Sequence, residues 1–223
     1  MSYDQAIQLR QLVSERAAGH AFAALPLLVV AGAPGCGTTS AAWNLAVALA
    51  RQGRRAVYVD ADLASGERLR VAAQTDFGSI VDVLAGRRSV HEVLSRGPLG
   101  VQIVPGAALA DDARDNSVAA HNRLLMELGR LAPHADVIVM DIGASRGGFA
   151  VRCCQSARAV CAVTTPADSA VLECYTTIKL LLQGGQMPLH AIINRAAQAT
   201  DAHDVHSRMA AACERFLGEI GRA

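Results

Sequence analysis

Leu27-Leu28-Val29-Val30-Ala31-Gly32-Ala33-Pro34-Gly35-Cys36-Gly37-Thr38-Thr39-Ser40 is followed by a run of alanine, leucine and valine from Ala41 to Ala50. An apolar run that breaks into glycines and resumes with helix formers reads as strand, glycine-rich loop and helix. The spacing Gly32-x-x-x-x-Gly37, followed by Thr38 and Thr39, is the outline of a phosphate-binding P-loop. Such a loop works because backbone N–H groups converge on phosphate oxygens at a helix N-terminus, where the dipole favours negative charge. A P-loop carries lysine after its second glycine, and this chain carries Thr38 there. The frame of a phosphate site is present without its principal charge. The plainer reading of the same stretch is a strand–helix turn whose glycines serve the fold.

Outward from that loop, 223 residues suffice for one α/β domain with a well-buried core. A net charge of +1 and an even spread of both signs argue against a nucleic-acid-binding tail or an acidic disordered segment. Cys36, Cys153, Cys154, Cys161, Cys174 and Cys213 show no C-x-x-C spacing and sit mostly in apolar stretches. They read as buried, reduced thiols of a cytosolic protein. The N-terminus is charged and amphipathic rather than a signal peptide, and the apolar run 21–33 is broken by Pro26 and too short to span a bilayer.

In chain order, residues 4–18 are expected to form a helix with Ile7, Leu9, Leu12 and Val13 as its apolar residues. Strand 27–31, the loop and helix 39–52 follow, then strand 56–60. Short helices are expected at 79–85 and 89–94, a strand at 101–104 and a helix at 117–131. Strands 137–141, 159–164 and 189–194 alternate with helices 169–182 and 201–217. Near-continuous apolar strands alternating with helices predict a mostly parallel sheet covered on both faces. The expected organisation is an N-terminal helical segment over residues 1–20 and one α/β domain over 21–223.

Ligand sites in open parallel sheets lie at the carboxyl ends of the strands. Four features fall there: the loop Gly32–Ser40, Asp60 with Asp62, Asp141, and Asn194. In P-loop proteins the hydroxyl residue after the lysine and an acid at another strand end hold Mg²⁺. Thr39 and Asp141 occupy those places, and Asp62 is placed to orient an attacking water.

Val29-Val30-Ala31-Gly32-Ala33-Pro34-Gly35-Cys36-Gly37-Thr38-Thr39, Asp60-Ala61-Asp62, Val137-Ile138-Val139-Met140-Asp141, Thr164-Thr165-Pro166 and Asn194-Arg195 together resemble the MinD/ParA-type ATPases. That family has a deviant Walker A motif, K-G-G-x-G-K-[ST]. Within it the chain is similar to the FlhG group, also called FleN or YlxH, which regulates flagellar number and placement. Asp4-Gln5-Ala6-Ile7-Gln8-Leu9-Arg10 matches the group's D-Q-A-x-x-L-R motif, and residues 79–105 and 164–182 resemble further FlhG segments. The resemblance implies a P-loop NTPase-like fold binding ATP and Mg²⁺. Its nucleotide residues would be Gly32, Ala33, Pro34, Gly35, Cys36, Gly37, Thr38, Thr39, Ser40, Asp60, Asn194 and Arg195. It also implies that Asp4, Gln5, Ala6, Leu9 and Arg10 bind and activate an SRP-type flagellar GTPase of the FlhF kind. Basal-body proteins and a transcriptional regulator are further implied partners. An apolar helix face with an amide and a guanidinium beside it suits helix-in-groove recognition.

The departures from the family carry their own expectations. Ala33 and Thr38 stand at the two lysine positions and Pro34 at the first loop glycine, while the asparagine expected after the switch acid is absent, with Glu67 nearby. Loss of two cations implies hydrolysis abolished or very slow and ATP-driven homodimerisation weakened; the alternatives are a working ATP-dependent dimerisation switch of the MinD/ParA type, or a pseudo-ATPase partner of an intact homologue in polar or envelope placement. The chain ends at Ala223 without the strand and amphipathic membrane-targeting helix that follow in the family, so membrane recruitment by that route is not expected. A cytoplasmic location with recruitment to the cell pole follows from the same resemblance. Asp201, His203, Asp204 and His206 read as a capped helix start rather than a metal site. Arg51, Arg54, Arg55, Arg87 and Arg88 read as solvated faces.

Overall fold

A computed structural model describes residues 25–63, 78–106, 117–182 and 187–217. The expected N-terminal helix, Glu67 and residues 218–223 lie outside them, as do the side chains of Phe216 and Leu217.

The elements are β1 (Leu27–Gly32), α1 (Thr38–Arg51), β2 (Ala56–Asp60), α2 (Ile80–Leu84), α3 (Val90–Val93), β3 (Ser95–Arg96), a 3-10 turn (Pro98–Gly100) and β4 (Gln102–Val104). They continue with α4 (Val118–Gly129), β5 (Val137–Asp141), α5 (Gly148–Gln155), β6 (Ala159–Thr164), α6 (Asp168–Leu181), β7 (Leu189–Ile193) and α7 (Ala199–Leu217). The strands form one sheet in the order β3-β4-β2-β5-β1-β6-β7, parallel except for β3. The pattern reading places all the long elements to within a few residues. Among the described residues it misses β3, two residues with no apolar run, and the 3-10 turn, and it reads α5 only as a helix step at Cys153 and Cys154, where no cap signal beyond glycine sets the bounds.

β1 is central, between β5 and β6. Its alternation sorts the core: Leu27, Val29 and Ala31 join the cluster under α2 and α4–α7, while Val30 joins Ala42, Ala46, Tyr58, Val139 and Val163 under α1. A strand buried on both faces needs such a run, because each side chain meets a helix layer. Trp43 of α1 packs edge-on against Tyr58 at 5.4 Å between ring centroids. Helix ends are locally specified. Ser79 and Asp82 form a capping box on α2, and the Ser117 hydroxyl accepts from the Ala120 amide at 3.1 Å to start α4. At the amino end of the sheet, Arg55 grips Asp136 through its backbone amide (2.8 Å), Nε (3.1 Å) and a second guanidinium nitrogen (2.6 Å), fastening β2 to β5. The pair holds the Asp136 carboxyl below its ordinary range, through the hydrogen bonds first and the charge second.

All six cysteines are free and buried. Burial pushes the Cys154 and Cys174 thiols up to about 12 and the Cys161 thiol to about 11, so they behave as small apolar side chains.

Leu128 is fully buried on α4 whereas Met126, two residues earlier, is 58% exposed. Leu128→Ala is expected to cost about 2–5 kcal/mol in urea unfolding, and Met126→Ala less than about 0.5 kcal/mol. Equal costs would contradict this docking of α4.

Candidate functional site

The carboxyl end of β1 delivers the chain into the loop under tight constraint. The Gly32 amide donates to Gly143 O at 3.0 Å and the Ala33 amide to Val163 O at 3.4 Å, tying the loop base to both neighbouring strands. A Cβ on Gly32 would lie 2.6 Å from Val163 O and would collide with the Thr38 hydroxyl. Only glycine fits, and Thr38 therefore points down into the loop base, where it is buried. Gly37, with φ 84°, turns the chain into α1 and acts as its N-cap with no side chain over the first amides and no acid in the first turn. Those amides lie where the spacing predicts a phosphate-binding element.

Each loop residue has a distinct place. Ala33 and Cys36 are core residues under α1, contributing backbone only. Pro34 and Gly35 form the exposed tip, Thr39 is half-buried and Ser40 exposed. Asn194, at the end of β7, donates from Nδ2 to Cys36 O at 2.9 Å, while its own amide donates to Thr164 O at 2.7 Å. It thus clamps the loop from a strand two positions away. Arg195 is exposed, in the left-handed region at φ 57°, and its amide donates to Asn194 Oδ1 at 2.9 Å.

Beneath the loop lies Asp141, fully buried at the end of β5. Its carboxylate accepts from the Gly143 amide at 2.9 Å, from the Tyr58 hydroxyl at 3.1 Å and from the Thr39 hydroxyl. Burial raises its pKa above the ordinary carboxylate value; the three donors pull it down and the Asp62 charge pushes it further up. Tyr58 is driven well above its usual value by burial first and then by the carboxylates of Asp141, Asp60 and Asp62. Asp62 rests on Gly143, where any side chain would collide with it. Asp60, paired in register with Asp141, is buried but leans the other way, against Gly106 of the β4 end at 2.6 Å from a notional Cβ. The connection after Asp141 is moored by Arg146, whose Nε donates to Thr177 Oγ1 on α6 at 2.9 Å.

The structure therefore brings the loop, Thr39, Asp62, Asp141 and Asn194 together and sets Asp60 and Arg195 to its margins. Three features escaped pattern reading. Tyr58 stands among apolar strand residues and carries no signal as a ligand of Asp141, the Asn194 clamp spans 158 residues of sequence, and Arg146 lies in an irregular connection. An oxygen pair made of a hydroxyl and a carboxylate suits Mg²⁺, and the capless amides of α1 suit phosphate oxygens. The loop's own side chains supply no cation to balance a triphosphate.

A parallel sheet with a glycine loop feeding its first helix, and an acid at a neighbouring strand end below it, is the architecture of a P-loop NTPase domain. No family model matches the chain. It is 30% identical over 192 residues to the antiactivator FleN of Pseudomonas aeruginosa, an alignment spanning 86% of this chain and 69% of that protein. It is 26% identical to the flagellum site-determining protein YlxH of Helicobacter pylori, spanning 82% and 62%. Among solved structures, MinD of Pyrococcus horikoshii in complex with Mg-ADP superposes with a TM-score of 0.63 at 25% identity, over 80% of this chain and 76% of that one. The chain belongs to the MinD/ParA-type ATPase family, on its FlhG/FleN/YlxH branch. It matches about two thirds of the length of the two curated relatives.

Asp141 contributes to pH dependence with a definite sign. A carboxyl whose folded pKa is raised binds its proton more tightly in the native state, so its contribution to stability falls as pH rises through that window. Between about pH 4 and 7 the wild type is expected to lose more stability than Asp141→Asn does; a steeper loss in the variant would reverse the assignment. Asn194→Ala is expected to cost about 1 kcal/mol and to speed amide exchange across residues 33–37. Unchanged exchange there would mean the clamp is idle.

Proposed function

We propose that this chain regulates flagellar number or placement by protein contact, with ATP hydrolysis lost or very slow. Support comes from the FleN and YlxH relatives, whose names describe an antiactivator and a flagellum site-determining protein. The observation that carries the catalytic half is Thr38, whose hydroxyl is folded under the loop against Gly32 where an ammonium would otherwise reach a phosphate. Without that cation, charge developing on a transferring phosphoryl group has no fixed counter-charge from the loop. Asn194 and the strand-end hydrogen bonds tie the loop to the sheet through protein groups, so its glycines also serve the fold.

The contact half rests on Asp4, Gln5, Ala6, Leu9 and Arg10, with an SRP-type GTPase of the FlhF kind as partner. Residues 1–24 lie outside the described structure, so the support is the motif alone. A transcriptional regulator is a second partner consistent with the antiactivator name of the FleN relative. A second reading, an ATP-dependent dimerisation switch, is favoured by one observation: the Thr39–Asp141 pair and Asp62 remain assembled below the loop. In it Thr39 and Asp141 would hold Mg²⁺, which would shield phosphate charge, and Asp62 would face the water.

Two measurements separate the readings. Titration with Mg-ATP to millimolar concentration is expected to show weak or no saturable binding and no dimer by light scattering, and Thr38→Lys to raise affinity at least tenfold, a change of about 1.4 kcal/mol. Saturable binding with dimerisation of the wild type establishes the switch instead. The full chain is also expected to stimulate an FlhF-type GTPase, with the effect lost in Gln5→Ala. Absence of stimulation removes the contact reading.

A further inference from the structure

Strand packing asks for the Tyr58 ring but not for its hydroxyl. The strand Ala56-Val57-Tyr58-Val59-Asp60 is buried throughout, and the ring joins Val30, Ala42, Ala46 and Val139 under α1. A phenylalanine would fill that space equally well. A buried hydroxyl costs free energy unless it finds an acceptor, and strand register provides one. Tyr58 lies opposite Val139, so Asp141, two residues further along β5, is on the same face of the sheet. The hydroxyl donates to Asp141 Oδ2 at 3.1 Å from a side chain with no exposure to water.

A carboxylate offers about four acceptor positions. On Asp141 the Gly143 amide bonds to Oδ1 at 2.9 Å, Tyr58 bonds to Oδ2, and the Thr39 hydroxyl donates as well. These donors are not equivalent toward a cation at the strand ends. Thr39 can leave its hydrogen on Asp141 while its oxygen faces a metal ion. The Gly143 amide belongs to the turn that bounds the site. Tyr58 approaches from inside the core, two residues short of the strand ends, and holds carboxylate charge toward itself. Removing a donor from a buried carboxylate leaves its charge less compensated, and a cation then gains more by approaching it.

We propose that Tyr58 sets the metal affinity of this site. By holding Asp141 Oδ2 from within the core, it makes the Thr39–Asp141 pair a weaker acceptor of a hard divalent cation than the pair without the phenol. The inference rests on the reading above in which Thr39 and Asp141 form the Mg²⁺ position. Tyr58 is then a positioning residue that acts through Asp141. Its restraint is separate from the loss of charge at position 38, so a restored loop lysine would leave the metal half of the site restrained.

The test titrates the full purified chain with Mn²⁺, following the free ion by electron paramagnetic resonance, with Mg²⁺ as competitor. Tyr58→Phe keeps the ring against Trp43, and Tyr58→Met substitutes an adaptable core filler. Both remove the hydroxyl, and circular dichroism verifies the fold. Each is expected to bind Mn²⁺ at least about fivefold more tightly than wild type, the worth of one hydrogen bond to a charged group. Adding Asp141→Asn to either variant should abolish the gain. A tyrosine with a purely structural role would lower stability in urea and leave Mn²⁺ affinity unchanged, and that result overturns the proposal. So does weaker binding in both variants, which would make the phenol a support of the metal site. Failure of the underlying reading looks different. If Thr39 and Asp141 are not the metal position, Asp141→Asn alone leaves wild-type Mn²⁺ binding unchanged. If only the role of Tyr58 is wrong, Asp141→Asn weakens binding while the Tyr58 variants match wild type.

Discussion

A carboxylate with no exposure to water sits at the middle of the sheet's carboxyl end, and the arrangement around it follows from the need to satisfy it. An uncompensated buried charge costs several kcal/mol, and Asp141 meets that cost with three donors from three places: Tyr58 on β2, Thr39 on α1 and the Gly143 amide on its own connection. Each donor fixes an element. Tyr58 sets β2 against β5, Thr39 sets the first turn of α1, and Gly143 sets the turn that also receives the Gly32 amide. The loop is positioned as a by-product of solvating one acid.

That economy explains why the loop geometry survives without a loop cation. In a phosphate-binding loop the ammonium and the ligand share in holding the chain; here Thr38 fills the space under Gly32 and Asn194 closes the far side. The carboxylates Asp60, Asp62 and Asp141 all bear on Tyr58, so the local field at the strand ends is negative.

Much of the fold was legible because its signals are local. The apolar run into Gly32, the even placement of Gly35 and Gly37, and strands that end in Asp60, Asp141 and Asn194 each follow from backbone and burial rules that act over a few residues. The placement of α4 needed only Ser117 and a helical period. What was not legible depends on which strands become neighbours. Asp60 and Asp141 look equivalent as strand-end acids, yet β2 also borders β4, and Gly106 gives Asp60 a place to lean away from the loop. Asn194 reads as a ligand-side residue in the sequence, and only the proximity of β7 to the loop reveals its bond to Cys36 O. Tyr58 in a strand is indistinguishable by pattern from any other buried aromatic. β3 is two residues long and owes its existence to β4 alone.

The chain contains a single tryptophan. Trp43 lies edge-on to Tyr58, whose hydroxyl is bonded to Asp141, so one indole is linked through one ring to the acid beneath the loop. Any event that alters the charge on Asp141 must alter what the Tyr58 hydroxyl donates to and hence the surroundings of that indole. The fold thus supplies an intrinsic optical probe of its own site, free of background from any other tryptophan and requiring no label.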